Sequence, residues 1–224
     1  MLELSCFSSS FLSGLPSKAP VVLPEDIGRN QLVKRDQALF WEGDTVDSYY
    51  RVISGAVRLC KQLPDGRRHV ANFYAAGDLI APEASGQAGF TAEAIVDSVI
   101  CQYSRTAVDR LVRTNPHIAS QLLLLAYDRL ASAQSQMVVL GRKTADERIA
   151  TFLAEHAARL PNHKRLMKMP MSRADVADYL GLTVETVSRV LSKLRRDKVI
   201  ELPDVHSVRI LDEGRLDEIS SGEA

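Results

Sequence analysis

The sequence contains little cysteine and lacks any apolar run long enough for a membrane helix. Cys6, Cys60 and Cys101 lie far apart and form no C-x-x-C pair, which argues against a disulfide framework and favours free thiols in a reducing compartment. No segment approaches the roughly 18 to 20 apolar residues that span a bilayer. The N-terminus places Glu3, and no basic residue, before its first apolar stretch, which is atypical of a signal peptide. We therefore expect a soluble, cytoplasmic protein with no membrane partner.

The chain also lacks an excess of either charge. Its 28 Lys and Arg residues equal its 28 Asp and Glu residues, so the net charge gives no sign of a nucleic-acid partner. A DNA-binding protein of this composition must concentrate its positive charge locally. The 46% hydrophobic and 25% charged residues are typical of a globular protein. A length of 224 residues favours two domains, each able to bury its own core.

The first half of the chain predicts a β domain. Residues 1–28 are rich in Ser, Pro and Leu without a sustained period, and we interpret them as a loosely ordered arm. Residues 29–115 carry short segments rich in Val, Ile, Tyr and Phe, separated by turn signals. Asp65-Gly66 is one such signal, because both residues accept positive φ in a hairpin turn. Short strands separated in this way predict an antiparallel barrel or sandwich.

A long helix is predicted next, over residues 116–142. Asn115-Pro116 marks its start, because proline is tolerated in the first turn of a helix and not in its interior. Apolar residues then recur at spacings of 3, 4, 3, 4 and 3, the heptad pattern of a helix that pairs with another helix. The alternative is a helix packed on its own barrel, since Leu122, Leu124 and Leu125 widen the apolar face. The narrow, uncharged seam favours a homodimer, and its residues are Leu123, Ala126, Leu130, Ala133, Met137 and Leu140.

The C-terminal region contains two short predicted helices joined by a glycine turn. Ser172 is placed to cap the first helix, its hydroxyl accepting a hydrogen bond from a free amide. Gly181 supplies the left-handed conformation that ends this helix, and Thr183 caps the next one. Two helices joined by such a turn form a helix-turn-helix unit. Ordinary helical pairs share this spacing, so the interpretation depends on the residue types of the second helix.

The second helix of this unit divides into an apolar and a polar face. The apolar face, predicted to point into the domain, consists of Val184, Val187, Leu191 and Leu194. Glu185, Ser188 and Arg189 lie at i, i+3 and i+4 and share an exposed face near the helix N-terminus, where a recognition helix meets base edges. Arginine can donate two hydrogen bonds to guanine, glutamate can accept one from cytosine, and serine can contact thymine or a base edge. We interpret these three residues as base-reading.

Further polar residues near this unit are predicted to contact DNA phosphates, which position a protein without reading sequence. They are Arg142, Lys143, Ser172, Arg173, Thr183, Thr186 and Lys193. Beyond Ile200, the segment LPDVHSVRIL predicts the two strands of a wing, with Pro203-Asp204 at or near the turn. The DNA-binding domain is placed at residues 143–216, beginning with a helix over 144–160, and residues 217–224 are left as a tail.

Residues 182–194, LTVETVSRVLSKL, resemble the FNR-type recognition helix of the CRP/FNR family of bacterial transcription regulators. The resemblance covers almost the whole chain, including the hinge residues 143–149. It implies an α+β fold with an N-terminal antiparallel β-roll of the cyclic-nucleotide-binding type, a long dimerisation helix and a C-terminal winged helix-turn-helix. In that family the residues matching Glu185 and Arg189 contact bases, with Ser188 as the FNR-like third reader. The implied target is a palindrome resembling TTGAT-N4-ATCAA, and the implied partners are double-stranded DNA and RNA polymerase.

The predicted β domain departs from the ligand sites of this family. Residues 89–92, GFTA, stand where CRP-type members have the Arg-Ser pair that holds a cyclic phosphate. A buried phosphodiester there has no charge partner, so cyclic-nucleotide binding is not expected. Cys101 can be matched to the distant ligand of the FNR iron–sulfur cluster, but Cys6 is alone at the front, and two thiolates cannot replace a four-cysteine cage. We expect no cofactor, with Cys101 an unliganded strand cysteine.

Residues 82–98 and 171–183 resemble the FixK-type branch of the family. Members of that branch act downstream of oxygen-responsive signalling and activate genes of microaerobic respiration, nitrogen fixation or denitrification. The resemblance implies an activator that is regulated mainly through its expression level. No cysteine lies in the helix-turn-helix, so thiol oxidation there is not the switch.

Two other functions remain as alternatives. A small effector such as haem, bound in the β-roll, could gate the same regulator, with His69 or His117 as an axial ligand. An enzyme is the second alternative, because barrels of this type also host metal-dependent chemistry. The barrel segment holds only His69 and no His-x-His pair, and the sequence offers no nucleophile–base constellation. We therefore expect no enzymatic activity.

Overall fold

The computed structural model of the protein describes residues 21, 23–83, 85–158 and 166–223. Positions 1–20 and 22 of the predicted arm, the end of the helix predicted over 144–160, and the last residue of the predicted tail lie outside the described residues. At the end of the arm, Val21 and Leu23 are buried in a cluster with Tyr103 of the β domain. The chain is therefore attached to this domain before its first strand begins.

The first domain is a roll of two antiparallel sheets, preceded by a 3-10 helix at Glu25–Ile27. Its described strands are β1 Arg29–Val33, β2 Ala38–Phe40, β3 Ser48–Ser54, β4 Ala56–Gln62, β5 Arg68–Ala75, β6 Leu79–Ile80, β7 Thr91–Ala94 and β8 Ser98–Ser104. One sheet has the order β1-β8-β3-β6, and the other has the order β2-β7-β4-β5.

Side chains that alternate along the strands form the interior of the roll. Val52, Val57 and Ile100 are fully buried there, because successive residues of a strand point to opposite faces of the sheet. The hairpin between β4 and β5 turns at Asp65-Gly66, where Gly66 has a φ of +84°, a conformation that glycine adopts readily. The turn predicted at these two residues is confirmed.

Two consecutive helices lead out of the roll, α1 Arg105–Thr114 and α2 Pro116–Arg142. Asn115 separates them, and its side chain caps α2 by accepting a hydrogen bond from the His117 N–H at 3.1 Å. Pro116 is the first residue of α2, as the sequence predicts. A backbone N–H at this position would have no partner within the helix, so proline loses no hydrogen bond there. With its 27 residues, α2 is about 40 Å long at a rise of roughly 1.5 Å per residue.

The second domain contains helices and a small sheet. Its described elements are α3 Ala145–Ala157, β9 Leu166–Lys168, α4 Arg173–Leu180, α5 Val184–Arg196, β10 Ile200–Asp204, β11 Ser207–Ile210 and α6 Glu213–Ser221. The sheet has the order β10-β11-β9. The predicted wing is formed by β10 and β11, and Asp204 at the end of β10 accepts a hydrogen bond from the His206 N–H at 2.7 Å. The wing turn therefore lies just beyond the predicted Pro203-Asp204.

Helix α6 runs through residue 216, where the sequence predicts the end of this domain. Leu216 is buried, and Ile219 packs against the same hydrophobic core. These two residues lie at i and i+3 on the side of α6 that packs against α3, so the apolar stripe continues into the segment predicted as a tail. The Nζ of Lys143 donates a hydrogen bond to the carbonyl of Ser220 at 2.8 Å, which also holds the end of this helix.

A shared hydrophobic cluster joins the two domains. Phe73 of β5 contacts Tyr179 of α4 and Phe152 of α3, with ring centroids 5.3 Å and 6.4 Å away. The Phe152 and Tyr179 rings also pack together, at a centroid distance of 5.7 Å. Cys60 and Val70 extend the cluster into the roll. The roll therefore packs directly on the helix-turn-helix.

The α+β architecture expected from the sequence is confirmed, with a β-roll, a long helix and a winged helix-turn-helix in this order along the chain. None of the described helices is both long enough and apolar enough to cross a membrane.

Replacing Phe152 by alanine should lower the free energy of unfolding by about 3–5 kcal/mol, as expected for a truncated core phenylalanine. Phe152 is fully buried and contacts both neighbouring rings of the shared cluster. The measurement is urea denaturation followed by circular dichroism. Val205→Ala, in the exposed wing turn, is the control and should change stability by less than about 0.5 kcal/mol. Equal losses in the two variants would contradict this role of Phe152.

Candidate nucleic-acid interface

Each helix of the helix-turn-helix begins with a capping side chain. The Ser172 hydroxyl accepts a hydrogen bond from the Asp175 N–H at 3.1 Å, and the Asp175 carboxylate accepts one from the Ser172 N–H at 2.9 Å. Thr183 caps α5 by accepting a hydrogen bond from the Thr186 N–H at 3.2 Å. Gly181 ends α4 with a φ of +61°. These local interactions agree with the caps and the turn that the sequence predicts.

The apolar face of α5 differs at one position from the prediction. Val187, Leu191 and Leu194 are buried as expected. Val184 was expected to point into the domain, but it is the first residue of the helix and is 40% exposed. Val190 is buried instead, because it follows Val187 by three residues and therefore lies on the same side of the helix. The buried stripe begins one turn later than predicted.

The three predicted base-reading residues lie together on the outer side of α5. Glu185 and Arg189 are exposed, and neither side chain has a hydrogen bond or ion pair with another described residue. Ser188 is half-buried, and its hydroxyl accepts a hydrogen bond from Nη1 of Arg173 at 3.0 Å. The first helix of the unit therefore reaches the recognition helix through Arg173. A free carboxylate and a free guanidinium flank this hydroxyl and can pair with base edges.

The predicted phosphate-contacting residues fall into two groups. Arg142, Arg173 and Thr183 are exposed, and the Thr183 and Thr186 hydroxyls lie 3.1 Å apart at the start of α5. Lys193 is also exposed and pairs with Asp146 at the start of α3. These side chains can meet phosphates after small rotamer changes.

Two members of the predicted phosphate set have internal partners instead. The Nζ of Lys143 donates to the Thr151 hydroxyl at 2.7 Å as well as to the Ser220 carbonyl. The Ser172 hydroxyl donates to the Asp175 carboxylate at 2.7 Å. A phosphate contact does not fit the placement of Lys143, because its ammonium group lies between α3 and α6. The sequence motif shows a basic residue at the hinge and not the direction in which its side chain turns.

Arg148 holds the hinge together, a role that was not predicted from the sequence. Its guanidinium donates to the carbonyl oxygens of Leu140 at 2.8 Å, Lys143 at 2.9 Å and Leu180 at 2.8 Å. These carbonyls lie at or just beyond the C-terminal ends of α2 and α4, where helices leave acceptors unpaired. The only sequence signal was that residues 143–149 match the hinge segment of the family.

A cavity of about 540 Å³ lies between the roll, α2 and Tyr179. Its walls are largely apolar, and Arg129 of α2 lines it, with its guanidinium 4.6 Å from the centre of the Tyr74 ring and 3.5 Å from the Asp78 carboxylate. No histidine is among the described residues that line this cavity. His69 lies in β5, and His117 lies in the first turn of α2 beside Gln121.

Gly89, in the segment that replaces the family's Arg-Ser pair, contacts both a carboxylate and a cation. The Gly89 N–H donates a hydrogen bond to Oε1 of Glu83 at 2.7 Å, and the Gly89 carbonyl accepts one from Nζ of Lys61 at 3.2 Å. Cys101 is buried in β8, in keeping with a strand cysteine.

Comparisons with known proteins agree with this geometry. The Crp-like helix-turn-helix domain family matches residues 147–219, and the cyclic nucleotide-binding domain family matches residues 31–115. The nitrogen fixation regulation protein FixK of Bradyrhizobium diazoefficiens is 37% identical over 201 residues, which cover 88% of this chain and 84% of that protein. FixK of Rhizobium meliloti is 39% identical over 178 residues, which cover 80% and 81%. The structure of FixK2 from Bradyrhizobium japonicum has a TM-score of 0.81 and 34% identity, covering 86% of this chain and 97% of that one.

The fold and the exposed recognition helix define a winged helix-turn-helix transcription regulator. The chain belongs to the CRP/FNR family, in its FixK-type branch. Several matching relatives are named as transcriptional activators, and the transcriptional activatory protein AadR of Rhodopseudomonas palustris is among them at 39% identity over 83% of this chain and 78% of that protein.

Replacing Gly181 by alanine should lower the free energy of unfolding by about 1–2 kcal/mol, because a left-handed conformation brings a β-carbon too close to the following carbonyl. The added β-carbon would lie 3.5 Å from Arg148 and 3.7 Å from Leu140, which are ordinary contacts, so backbone strain is the cause. Gly214→Ala, in the first turn of α6, is the matched control and should leave stability unchanged or slightly higher. Thermal and urea denaturation provide the comparison, and an unchanged stability of G181A would contradict this role of the turn.

Proposed function

We propose that this protein activates transcription by binding, as a homodimer, a palindrome resembling TTGAT-N4-ATCAA. The observation that carries the proposal is the outer side of α5, where Glu185 and Arg189 are exposed without a described partner on either side of Ser188. Exposed, unpaired charges near the start of a recognition helix are the groups that read base edges.

The chemistry of these three side chains fits the proposed half-site. TTGAT contains a single guanine, and Arg189 is assigned to its O6 and N7 acceptors. Glu185 accepts a hydrogen bond from the amino group of the cytosine paired with that guanine. Ser188 lies against a neighbouring thymine, and Arg173 holds the Ser188 hydroxyl in place. One G·C pair is thus recognised from both strands.

Contacts with the phosphate backbone are proposed for one exposed residue at the end of α2, three exposed residues of α4 and α5 or their caps, and the half-buried Thr186. They are Arg142, Arg173, Thr183, Thr186 and Lys193. Such contacts orient the domain on the duplex and make its binding dependent on salt. They also supply the local positive charge that an electrically neutral chain requires.

A second copy of the chain is proposed to cover the seam of α2. Leu123, Leu130 and Met137 are exposed along this helix, Met137 by 72%, and no charged residue interrupts the seam. Such an apolar stripe is typical of helices that pair. Two-fold symmetry of the pair matches the symmetry of a palindromic DNA site. Leu140 differs from the other seam residues because it is half-buried and lies near Gly181 of its own chain.

The physiological setting is proposed from the relatives. Proteins named for the regulation of nitrogen fixation and for transcriptional activation match most of this chain. We assign this protein to the control of low-oxygen respiration, nitrogen fixation or denitrification genes, in the cytoplasm and with RNA polymerase as its partner. Its activity then depends mainly on its expression level. Neither histidine considered as a haem ligand lines the cavity beside α2.

Arg189→Ala should abolish the preference for the TTGAT half-site over scrambled DNA while leaving a folded dimer. The loss of a bidentate arginine–guanine contact corresponds to about 1–3 kcal/mol of discrimination. Fluorescence anisotropy with labelled duplexes measures it at fixed salt. Arg196→Ala removes the same charge near the C-terminal end of α5, where Arg196 lies beside Asp197, and should keep the preference. If the R189A protein still discriminated the site, the role assigned to Arg189 would be wrong.

Met137→Asp should convert the protein to a monomer, because it buries a charge within the apolar seam. Sedimentation velocity should then give about half the wild-type mass. Ser135→Asp adds the same charge at an exposed position of α2 outside the seam, and it should remain dimeric. An unchanged sedimentation coefficient of the M137D protein would count against the seam as the dimer interface.

A further inference from the structure

An ionic cluster joins the β-roll to the first helix of the helix-turn-helix. Arg68 of β5 places Nη2 2.7 Å from the Asp175 carboxylate and Nε 2.8 Å from the Asp178 carboxylate. Arg58 of β4 places Nη1 3.2 Å from the same oxygen of Asp175. Asp175 and Asp178 lie one turn apart on α4. We call these four residues the roll–helix clamp.

The clamp lies where the two domains meet, and its centre is more buried than its edge, where the Arg68 and Asp178 side chains are 25% and 29% exposed. The Asp175 side chain is 3% exposed, and that of Arg58 is 11% exposed. Arg58 is itself held by Glu93 of β7, whose carboxylate lies 2.7 Å from Nη2 and 2.8 Å from Nε. Its Nη2 also lies 3.5 Å from the exposed Asp36. A buried carboxylate with two arginine partners loses much of its stabilisation when one of them is removed.

Asp175 remains charged in this place. Burial alone would raise the pKa of its carboxyl group, but hydrogen bonds from Ser172 and the charges of Arg58 and Arg68 outweigh burial, so the pKa of Asp175 lies below its ordinary value. The Asp175 carboxylate is therefore ionised at neutral pH, and the clamp joins arginines of the roll to aspartates of α4 across the domain boundary.

A short series of contacts connects the clamp with the DNA-reading surface. Asp175 forms the capping box with Ser172 at the start of α4. The next residue, Arg173, donates the hydrogen bond that holds the Ser188 hydroxyl on α5. The roll thus reaches a proposed base-reading residue through the first turn of α4.

The clamp fixes the orientation of α4 on the roll, which the neighbouring apolar cluster does not. Phe73 packs against Tyr179 and Phe152, and this burial favours contact between the domains, but hydrophobic contact is non-directional. An arginine fork fixes the angle and the distance of its carboxylate partners. The two arginines of the roll therefore determine how α4 is oriented on it.

We propose that Arg58 and Arg68 are positioning residues for DNA recognition, which hold α4, and through it α5, in the orientation that reads a half-site. The inference rests on the proposed dimer and palindrome. Neither arginine contacts DNA. The two arginines raise the fraction of time for which each subunit holds α5 in the DNA-reading orientation. Binding to a palindrome requires both subunits to hold α5 in that orientation at the same time.

The experiment compares Arg68→Met with Arg67→Met in the full-length protein. Arg67 is the adjacent residue, and its side chain is 77% exposed. Its described ion pair is with Asp65 in the hairpin turn. R67M therefore removes the same positive charge as R68M and leaves the clamp intact. Each protein is titrated with a palindromic duplex, a duplex with one half-site and a scrambled duplex at fixed salt.

The expected pattern follows from the need for two oriented subunits. If R68M leaves each subunit oriented for about a third of the time, half-site binding weakens about threefold and palindrome binding about tenfold. R67M should match the wild type on both duplexes. Equal losses of R68M on the two duplexes would indicate only a smaller active fraction, and they would overturn the positioning role. Equality of R68M and R67M would also overturn it.

Amide hydrogen exchange of residues 172–182 gives a readout that does not depend on DNA. R68M should accelerate exchange in this segment and leave exchange unchanged in the strands of the roll away from the clamp. Unchanged exchange in residues 172–182 would overturn the role of the clamp.

If the wild type failed to prefer the palindrome over scrambled DNA, the proposed target would be wrong, and the exchange result would still test the clamp. If R68M failed to fold, Asp178→Asn, which neutralises the partner of Nε and leaves Asp175 unchanged, should show both effects at smaller size, and its identity with the wild type would overturn the proposal.

Discussion

The buried stripe of α5 determines which of its side chains can meet DNA. Val187, Val190, Leu191 and Leu194 all lie in the core of the second domain, and each contributes about 1.5–3 kcal/mol of apolar burial when fully enclosed. Rotating α5 by a quarter turn would expose part of this stripe and bury a carboxylate or a guanidinium. Burial of the apolar stripe therefore keeps the polar face with Glu185 and Arg189 exposed, and this exposure does not depend on interactions of the two polar side chains.

Local signals were sufficient to predict the helix-turn-helix. Ser172, Gly181 and Thr183 act within one turn of their own position in the chain, so their residue types and spacing define the geometry. The same holds for Asn115 at the start of α2. The base-reading face followed from a helical period and from the chemistry of three side chains, and the family comparisons agree with the class of protein that these features indicated.

Features that depend on distant parts of the chain could not be predicted in this way. Arg58 meets Asp175 across 117 positions of sequence, and nothing near either residue indicates the other. Lys143 was expected at a phosphate, but its side chain turns toward Thr151 and Ser220 because α6 packs beside α3. The continuation of α6 past residue 216 has the same origin, since the apolar side of this helix is recognisable only when its packing against α3 is known.

Cys60 lies within the cluster shared by the two domains, and its surroundings have a chemical consequence. Burial, reinforced by the neighbouring Glu93 carboxylate, raises the pKa of its thiol to about 11. At neutral pH only about one molecule in ten thousand then carries the nucleophilic thiolate. Peroxides and maleimide reagents will therefore react slowly with this sulfur, and a fluorescent label attached through an introduced surface cysteine can be used without first replacing Cys60.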